Sequence, residues 1–148
     1  MTSDERDMLV ESVKRHEGFR ARAYQDTLGH WTIGYGTLLE TLEIDTDQAE
    51  DWLLERLHRA EDGVAEMDGY QDAGAARQAV LVEMAYQLGV RGCLRFFRMW
   101  SAIADLDWTA AAREMLDSRW AKQTPGRVAE LADRLQYGTW DGHRPGEV

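Results

Sequence analysis

Three residues near the start of the chain combine side chains that could together cleave a glycosidic bond. Glu17, Asp26 and Thr32 lie in the stretch HEGFRARAYQDTLGHWTIGYG, with eight residues between the first two and five between the last two. Such cleavage needs a protonated carboxylic acid that donates to the leaving oxygen, and a second carboxylate that attacks or activates water. Glu17, beside Phe19 and Tyr24, would be the acid. Asp26 would be the ionised carboxylate, and the Thr32 hydroxyl would hold a water molecule against it.

The same residues also have an ordinary structural explanation. Glu17 can be a charge at the end of a helix, and Asp26 can be a turn residue, because Asp is common in turns. The chain holds 27 acidic residues among 148, so a pair of acids with this separation is expected by chance. Spacing alone leaves both interpretations open.

The local sequence predicts that the three residues lie on a helix end, a turn and a strand. Residues 4–16 have helical periodicity with Ser3 as a candidate N-cap, so the first helix should end at Glu17. Between residues 20 and 45 the pattern changes to alternating aromatic and β-branched residues interrupted by glycines. This pattern predicts a small antiparallel sheet.

The remainder of the chain predicts helices. Asp45 or Thr46 caps a long amphipathic helix, and the segment AARQAVLVEMAYQLG is apolar enough on all sides to be a central buried helix. The fold class is therefore α+β and mostly helical. A chain of this length fits one domain, 1–148. Its expected parts are a small β-containing lobe of about residues 15–48, a connecting helix of about 46–67, a helical lobe of about 70–141 and a frayed tail, 142–148.

Most of the aromatic residues are interpreted as packing residues. Six tryptophans could indicate a carbohydrate platform, but Trp52, Trp100, Trp108 and Trp120 fall at helical core positions. The segment RGCLRFFRMW mixes Arg with aromatic residues, as a binding patch would. Because its aromatic residues, including Phe97, recur at helical steps, one buried helix face is the simpler interpretation.

Charge and composition exclude several classes of protein. The net charge is −10, and residues 40–72 hold twelve acids against two arginines. A nucleic-acid partner is not expected, because phosphate binding needs a basic face. The single cysteine, Cys93, excludes an internal disulfide and a cysteine-built metal site, and the histidines lack metal-ligand spacing. No metal ion or cofactor is predicted.

The residues around Glu17, Asp26 and Thr32 resemble the phage-type lysozyme (endolysin) family, glycoside hydrolase family 24. That family is recognised by a Glu, eight residues, an Asp or Cys, five residues and a Thr, which is the pattern found here. The segments EGFRARAYQDTLGHWTIGYGTLL, AYQLGVRG, SRWAKQTPGRV and GTW resemble successive parts of the family in the same order. The likeness covers about residues 9–141 and is closest to the T4-type enzymes.

The resemblance implies a lysozyme-like fold of two lobes and an activity on bacterial peptidoglycan. Glu17 would be the general acid, while Asp26 and Thr32 would place the attacking water on the opposite face of the sugar. The β-1,4 bond after N-acetylmuramic acid would then be hydrolysed with inversion. This chemistry needs no cofactor.

The resemblance also implies a set of binding residues. Leu38, Tyr86 and Gln87 would line the sugar groove, and Arg127 would pair with Glu17. Two other groove positions of T4-type members are occupied here by residues of a different type, Met99 and Glu114, and no sugar contact is assigned to them. The acidic net charge is a further departure, since many phage lysozymes are strongly basic.

The predicted partners are peptidoglycan glycan strands, bound by a monomer without membrane insertion. Apolar runs are far shorter than the ~20 residues of a membrane span, and the N-terminal residues do not resemble a signal peptide. The expected location is the host bacterial cytoplasm on synthesis and the cell wall after release, with a holin as the expected route. Two other functions stay open: the same fold acting on chitin or chitosan, and an inactive module that binds the cell wall.

Overall fold

The computed structural model describes residues 1–147. Within that range the chain forms eight α-helices, three β-strands and one 3-10 helix. The strands are β1 (Arg20–Gln25), β2 (Trp31–Gly34) and β3 (Thr37–Leu38), and the 3-10 helix is Leu39–Thr41. The helices are α1 (Ser3–Glu17), α2 (Thr46–Val64), α3 (Ala75–Leu88), α4 (Val90–Leu94), α5 (Phe97–Ala104), α6 (Trp108–Leu116), α7 (Arg119–Gln123) and α8 (Pro125–Tyr137).

The chain forms two compact units, one of residues Met1–Ala49 and a second that begins at Glu50. The first unit contains α1, the three strands and the start of α2, and the second contains the remaining helices. The predicted fold class, α+β and mostly helical with a small antiparallel sheet near the N-terminus, is confirmed. The assignment of all residues to one domain stays a prediction, and the tail predicted to end at Val148 extends beyond the described residues.

Helix α1 ends where the sequence predicts but begins with a different cap. Thr2 is the N-cap, because its Oγ1 accepts from Glu5 N–H at 3.3 Å while its own N–H donates to Glu5 Oε2 at 2.7 Å. This reciprocal pair is a capping box. The predicted cap, Ser3, is instead the first residue of the helix. At the other end Gly18 has a φ of 70° and donates to Lys14 C=O at 2.9 Å, so the helix stops directly after Glu17.

The sheet is a short antiparallel meander with β2 in the centre. Tyr24 of β1 and Leu38 of β3 both lie opposite Thr32 of β2. The register shifts between Arg20 and Tyr24, so β1 contains an irregularity before its last residues. Thr32 therefore occupies the middle of the sheet, with a neighbour on each side.

Helix α2 starts at the predicted position. The Asp45 carboxylate accepts from Gln48 N–H at 2.8 Å, and Gln48 Oε1 accepts from Asp45 N–H at 3.2 Å. The helix buries Ala60 and Val64, both in its second half. Its predicted core residue Trp52 is instead 50% exposed. No helix formed by residues 1–147 has both the length and the apolar content that crossing a bilayer requires.

The hydrophobic core consists of residues of the second unit. Helix α3 is its central element, as predicted, since it buries five residues: Ala76, Val80, Leu81, Met84 and Ala85. Trp100 and Trp120 are also buried, and Trp100 Nε1–H donates to Cys93 C=O at 3.1 Å. Phe97 is the exception to the predicted aromatic face, because it is 75% exposed. Helical periodicity identifies residues that share a face but does not show whether another element covers each of them.

Arg77 joins three helices of the second unit. Its guanidinium donates to the C=O groups of Leu135 and Gln136, at 2.8 and 3.1 Å, near the end of α8. The same group lies 4.4 Å from the ring centroid of Trp108 on α6. Unpaired carbonyls at a helix C-terminus attract cations, so Arg77 stabilises the last turn of α8 as well as the packing.

The environment of Cys93 predicts that its thiol is inert in the folded protein. Cys93 is fully buried, and burial raises the pKa of its thiol to about 12, so the reactive thiolate is absent near neutral pH. We expect Ellman's reagent to modify no thiol in the native protein and one thiol after denaturation. Ser101→Cys, which adds a thiol at an exposed position, is the positive control. Rapid modification of the native wild type would contradict the buried position of Cys93.

Candidate active site

Asp26 closes the turn between β1 and β2 through its side chain. Its Oδ1 accepts from Leu28 N–H at 2.9 Å and from His30 N–H at 2.8 Å. The backbone completes the turn, because Gly29 N–H donates to Asp26 C=O at 3.0 Å. An aspartate that accepts from the N–H two residues later is the characteristic Asx turn. These bonds fix one carboxylate oxygen and leave Oδ2 without a backbone donor.

Thr32 is held beside Asp26 by the backbone of His30. The Thr32 hydroxyl donates to His30 C=O at 3.2 Å, and the same carbonyl accepts from Asp26 N–H at 2.9 Å. Thr32 is 3% exposed and is the only buried polar residue within residues 1–147. Because its proton is donated to the carbonyl, the hydroxyl oxygen keeps lone pairs that can accept a further hydrogen bond.

Glu17 is the last residue of α1, and its carboxylate lies against the backbone of Gly36. A Cβ atom built on Gly36 would lie 2.8 Å from Glu17 Oε2. Gly36 has a φ of 84°, a conformation that side-chain-bearing residues seldom adopt. Glycine therefore satisfies two requirements at this position, the backbone conformation and the approach of the carboxylate.

The aromatic surroundings expected for Glu17 are different in the structure. Its side chain is exposed. Phe19 packs against Tyr35, with ring centroids 5.5 Å apart, and Tyr24 lies beneath the Arg20 guanidinium at 4.9 Å. The two aromatic rings therefore pack on other residues, and the Glu17 carboxylate is accessible to solvent.

The structure groups the predicted site residues within each unit. In the first unit Asp26 and Thr32 meet at the His30 carbonyl, and Leu38 lies opposite Thr32. Among the described residues, no hydrogen bond joins Glu17 to Asp26 or Thr32. The predicted chemistry of the three residues depends on a ligand placed among them, and it stays a prediction.

Tyr86 and Arg127 lie together in the second unit. They line a groove of about 680 Å³, along with several apolar residues that include Leu53, Leu57 and Val82. Arg56 lies over the Tyr86 ring, with its guanidinium carbon 5.2 Å from the ring centroid. This groove has the size and mainly apolar lining that are typical of small-ligand sites.

Arg127 and Gln87 have different surroundings within the second unit. Arg127 donates from Nε to Glu83 Oε1 at 3.0 Å, and its Nη2 lies 2.8 Å from the same oxygen. The expected pair between Arg127 and Glu17 stays a prediction. Gln87 does not line the groove, and its side-chain oxygen is buried without a hydrogen-bond partner among residues 1–147.

Sequence reasoning missed two residues of the first unit. By its spacing His30 is only one of the histidines that lack a metal-ligand pattern, yet its backbone bonds to both Asp26 and Thr32. The sequence pattern shows Gly36 only as one of the glycines that interrupt residues 20–45. Its contact with Glu17 spans nineteen positions, so no local pattern could reveal it. Within the described part of the chain, no three His, Cys, Asp or Glu side chains are grouped as metal ligands.

Comparison with known proteins identifies relatives along almost the whole chain. A family model described as phage lysozyme matches residues 14–136. The chain is 29% identical to the pre-baseplate central spike protein Gp5 of Enterobacteria phage T4, over 96% of this chain but 30% of that protein. Two proteins of Dictyostelium discoideum are each 25% identical to it.

The Dictyostelium proteins match over their full length or nearly so. The one named "Probable T4-type lysozyme 1" aligns over 97% of this chain and 100% of its own length. "Probable T4-type lysozyme 2" aligns over 94% of this chain and 97% of its own. The chain thus spans less than a third of the spike protein and almost all of each Dictyostelium protein.

Gly36 provides a test of the position of the Glu17 carboxylate. In Gly36→Ala the new methyl group would displace that carboxylate, and displacements of about 1 Å can cost about 100-fold in rate. We expect glycoside hydrolysis to fall by about tenfold or more. Gly34→Ala is the matched control, because Gly34 also has positive φ, 68°, but an added Cβ there would meet no atom within 4 Å.

Both glycine variants should lose similar stability, about 1–2 kcal/mol, because each forces alanine into the left-handed region. Thermal unfolding measures that loss, and assays under identical conditions measure activity. Equal activity in Gly36→Ala and Gly34→Ala would show that the position of Glu17 does not depend on Gly36.

Proposed function

The chain belongs to the phage lysozyme family, and from this premise we propose that it is a muramidase of the bacterial cell wall. Membership confirms the predicted enzyme class, a glycoside hydrolase of the lysozyme type. The proposed substrate is the glycan strand of peptidoglycan. The proposed reaction is hydrolysis of the β-1,4 bond between N-acetylmuramic acid and N-acetylglucosamine.

In the proposed mechanism the two carboxyl groups act on opposite faces of the sugar. Glu17 gives its proton to the glycosidic oxygen as the bond to the anomeric carbon breaks. A water molecule held by Asp26 and Thr32 attacks that carbon, and its proton passes to Asp26 Oδ2. The product therefore has the opposite anomeric configuration from the substrate.

The observation that carries this proposal is the joint anchoring of Asp26 and Thr32 on the His30 carbonyl. The anchoring leaves Asp26 Oδ2 free of backbone donors and leaves the Thr32 oxygen with acceptor capacity. A water molecule needs groups of this kind, with fixed positions, if it is to be aligned for attack. Glu17, the last residue of α1 in the same unit, supplies the acid.

We assign substrate contacts to residues of both units. Leu38, opposite Thr32, offers an apolar contact beside the proposed water site. Tyr86 presents a half-buried aromatic ring in the groove of the second unit, where sugar rings can pack on apolar surface. Arg127 has a supporting role, and Gln87 would need to reorient its buried amide oxygen toward a sugar hydroxyl or amide.

Cleavage of the glycan strands would weaken the cell wall, so bacteriolytic activity and host-cell lysis are part of the proposal. The acidic residues of positions 40–72 are a feature that this substrate must accommodate. These acidic residues form a negatively charged surface along α2 and its flanks, and the only lysine or arginine residues in the same range are Arg56 and Arg59. We infer that glycan recognition depends on the neutral sugar contacts and not on attraction of an anionic wall to a basic protein.

The proposal is tested first by replacing the acid. Glu17→Gln keeps the shape of the side chain but cannot donate the proton, and we expect it to fold normally and lose more than about 99% of activity. The measurement is release of reducing ends from purified peptidoglycan. Glu11→Gln, an exposed carboxylate on the same helix, is the matched control and should retain full activity.

The outcomes of this assay separate the alternatives. If the wild type and Glu11→Gln release reducing ends but Glu17→Gln does not, the result supports the proposed muramidase function with Glu17 as the acid. Full turnover by Glu17→Gln would remove Glu17 from the role of acid. If the folded wild type releases nothing from peptidoglycan, chitin and chitosan are the next substrates, and binding without turnover would indicate a wall-binding module.

The stereochemistry of the first product is a separate prediction. Because the proposed mechanism uses a single displacement by water, the new reducing end should be the α-anomer. Proton NMR, recorded before mutarotation is complete, distinguishes the anomers. A β-anomer as the first product would show that Asp26 attacks the sugar directly and that a covalent intermediate is formed.

A further inference from the structure

His30 connects the proposed water-holding residues through three backbone hydrogen bonds. Its N–H donates to Asp26 Oδ1 at 2.8 Å, and its C=O accepts from Asp26 N–H at 2.9 Å and from the Thr32 hydroxyl at 3.2 Å. Any residue other than proline could provide these bonds, because all three use the main chain. They account for the shape of the turn but not for an imidazole at this position.

The imidazole makes a separate contact with the free oxygen of Asp26. Nδ1 of His30 lies 3.7 Å from Asp26 Oδ2, the oxygen that accepts no backbone donor. The His30 side chain is 53% exposed and that of Asp26 is 30% exposed. The ring therefore does not hold the turn together by packing, and protons from solvent can reach it.

Two acidic residues belong to the surroundings of the His30 side chain. One is Asp26, in the same turn, and the other is Glu40 of the 3-10 helix, which lines a cavity of about 310 Å³ together with His30. Trp31 and Leu39 supply the apolar walls of this cavity. When His30 is protonated, its positive charge thus lies beside a carboxylate of the proposed site.

We propose that His30 is a positioning residue that controls Asp26. The neutral imidazole leaves Asp26 Oδ2 available to the attacking water, and the imidazolium engages that oxygen and slows hydrolysis. This inference rests on the proposed function, because it assigns His30 a role in the same reaction.

Two effects of the imidazolium act in the same direction. In the transition state Asp26 takes a proton from the attacking water, so its negative charge decreases, and a cation beside it stabilises the ground state more than the transition state. The sugar also develops positive charge at its anomeric carbon, which a nearby cation opposes. Protonation of His30 should therefore lower kcat, whereas binding of the distal sugars, and hence KM, should change little.

Two substitutions isolate the charge of the side chain from the shape of the turn. His30→Gln is neutral at every pH, His30→Lys is positive near neutral pH, and both keep the three main-chain hydrogen bonds. The contact is solvent-exposed, so its electrostatic effect should be modest, about two- to fivefold in rate. Histidine changes its charge between about pH 5 and 8, which sets the range for the assay.

The expected result is a different pH profile for each variant. Relative to the wild type, His30→Gln should raise kcat about two- to fivefold at about pH 5.5 and leave it unchanged at about pH 7.5. His30→Lys should lower kcat by a similar factor at about pH 7.5 and resemble the wild type at about pH 5.5. His143→Gln, which removes an exposed histidine far along the chain, is the control and should follow the wild type throughout.

Thermal unfolding establishes that each variant is folded before its kinetics are compared. Profiles of His30→Gln and His30→Lys that coincide with the wild type would overturn the proposal. A loss of kcat by both variants at every pH would also overturn it, because the imidazole itself and not its charge would then be required.

A measurement on the wild type distinguishes failure of this inference from failure of the proposed function. NMR titration of the His30 ring and of the Asp26 carboxyl carbon reports whether the two groups titrate together, and it requires no substrate. If the two groups titrate together but the protein does not hydrolyse peptidoglycan, the contact between His30 and Asp26 is established and the proposed muramidase function is rejected. If the two groups titrate independently and the wild type hydrolyses peptidoglycan, only the proposed role of His30 is rejected.

Discussion

The two hydrogen bonds that the Asp26 carboxylate accepts from Leu28 and His30 are the constraint on which the first unit depends. They close the turn that sets the pairing of β1 with β2, and so they place Thr32 opposite Tyr24. A register shift of one residue would turn the Thr32 hydroxyl to the other face of the sheet. The residue that shapes the hairpin is thus also the proposed base, and the geometry of the water site follows from the formation of the turn.

The second unit is stabilised in a different way. Its core is formed by apolar side chains on successive helices, and α3 contributes the largest group of them. Arg77 adds a polar contact that satisfies carbonyls at the end of α8 and packs on Trp108. The Glu83–Arg127 pair, by contrast, lies at the partly exposed groove surface, where an ion pair contributes little stability, about 0–1 kcal/mol. The stability of the second unit therefore depends on its apolar core far more than on this pair.

The sequence was sufficient for features that depend on local pattern. Helix α3, the end of α1 and the small sheet follow from periodicity, glycines and β-branched residues. The predicted N-cap of α1, Ser3, lies one residue after the observed cap, Thr2. Both residue types are good caps, and only the contact with Glu5 distinguishes them. The prediction that Trp52 is a core residue is wrong, since periodicity does not reveal which face of a helix is covered. The contacts of Gly36 and of the His30 ring arise only when the chain folds, so no spacing rule predicts them.

Thr32 is the only buried residue before Ala60 in the described chain. A sheet of three short strands with so little buried apolar surface has a small intrinsic resistance to local opening. A ligand that binds only the closed sheet adds RT ln(1 + [L]/Kd) to that resistance, which is about 2.7 kcal/mol when the ligand is at 100 times its Kd. The stability of the hairpin and its affinity for such a ligand, here the proposed glycan, are therefore thermodynamically linked. Amide hydrogen exchange in residues 20–38 would therefore slow when a ligand of this kind is bound, whether or not it is cleaved.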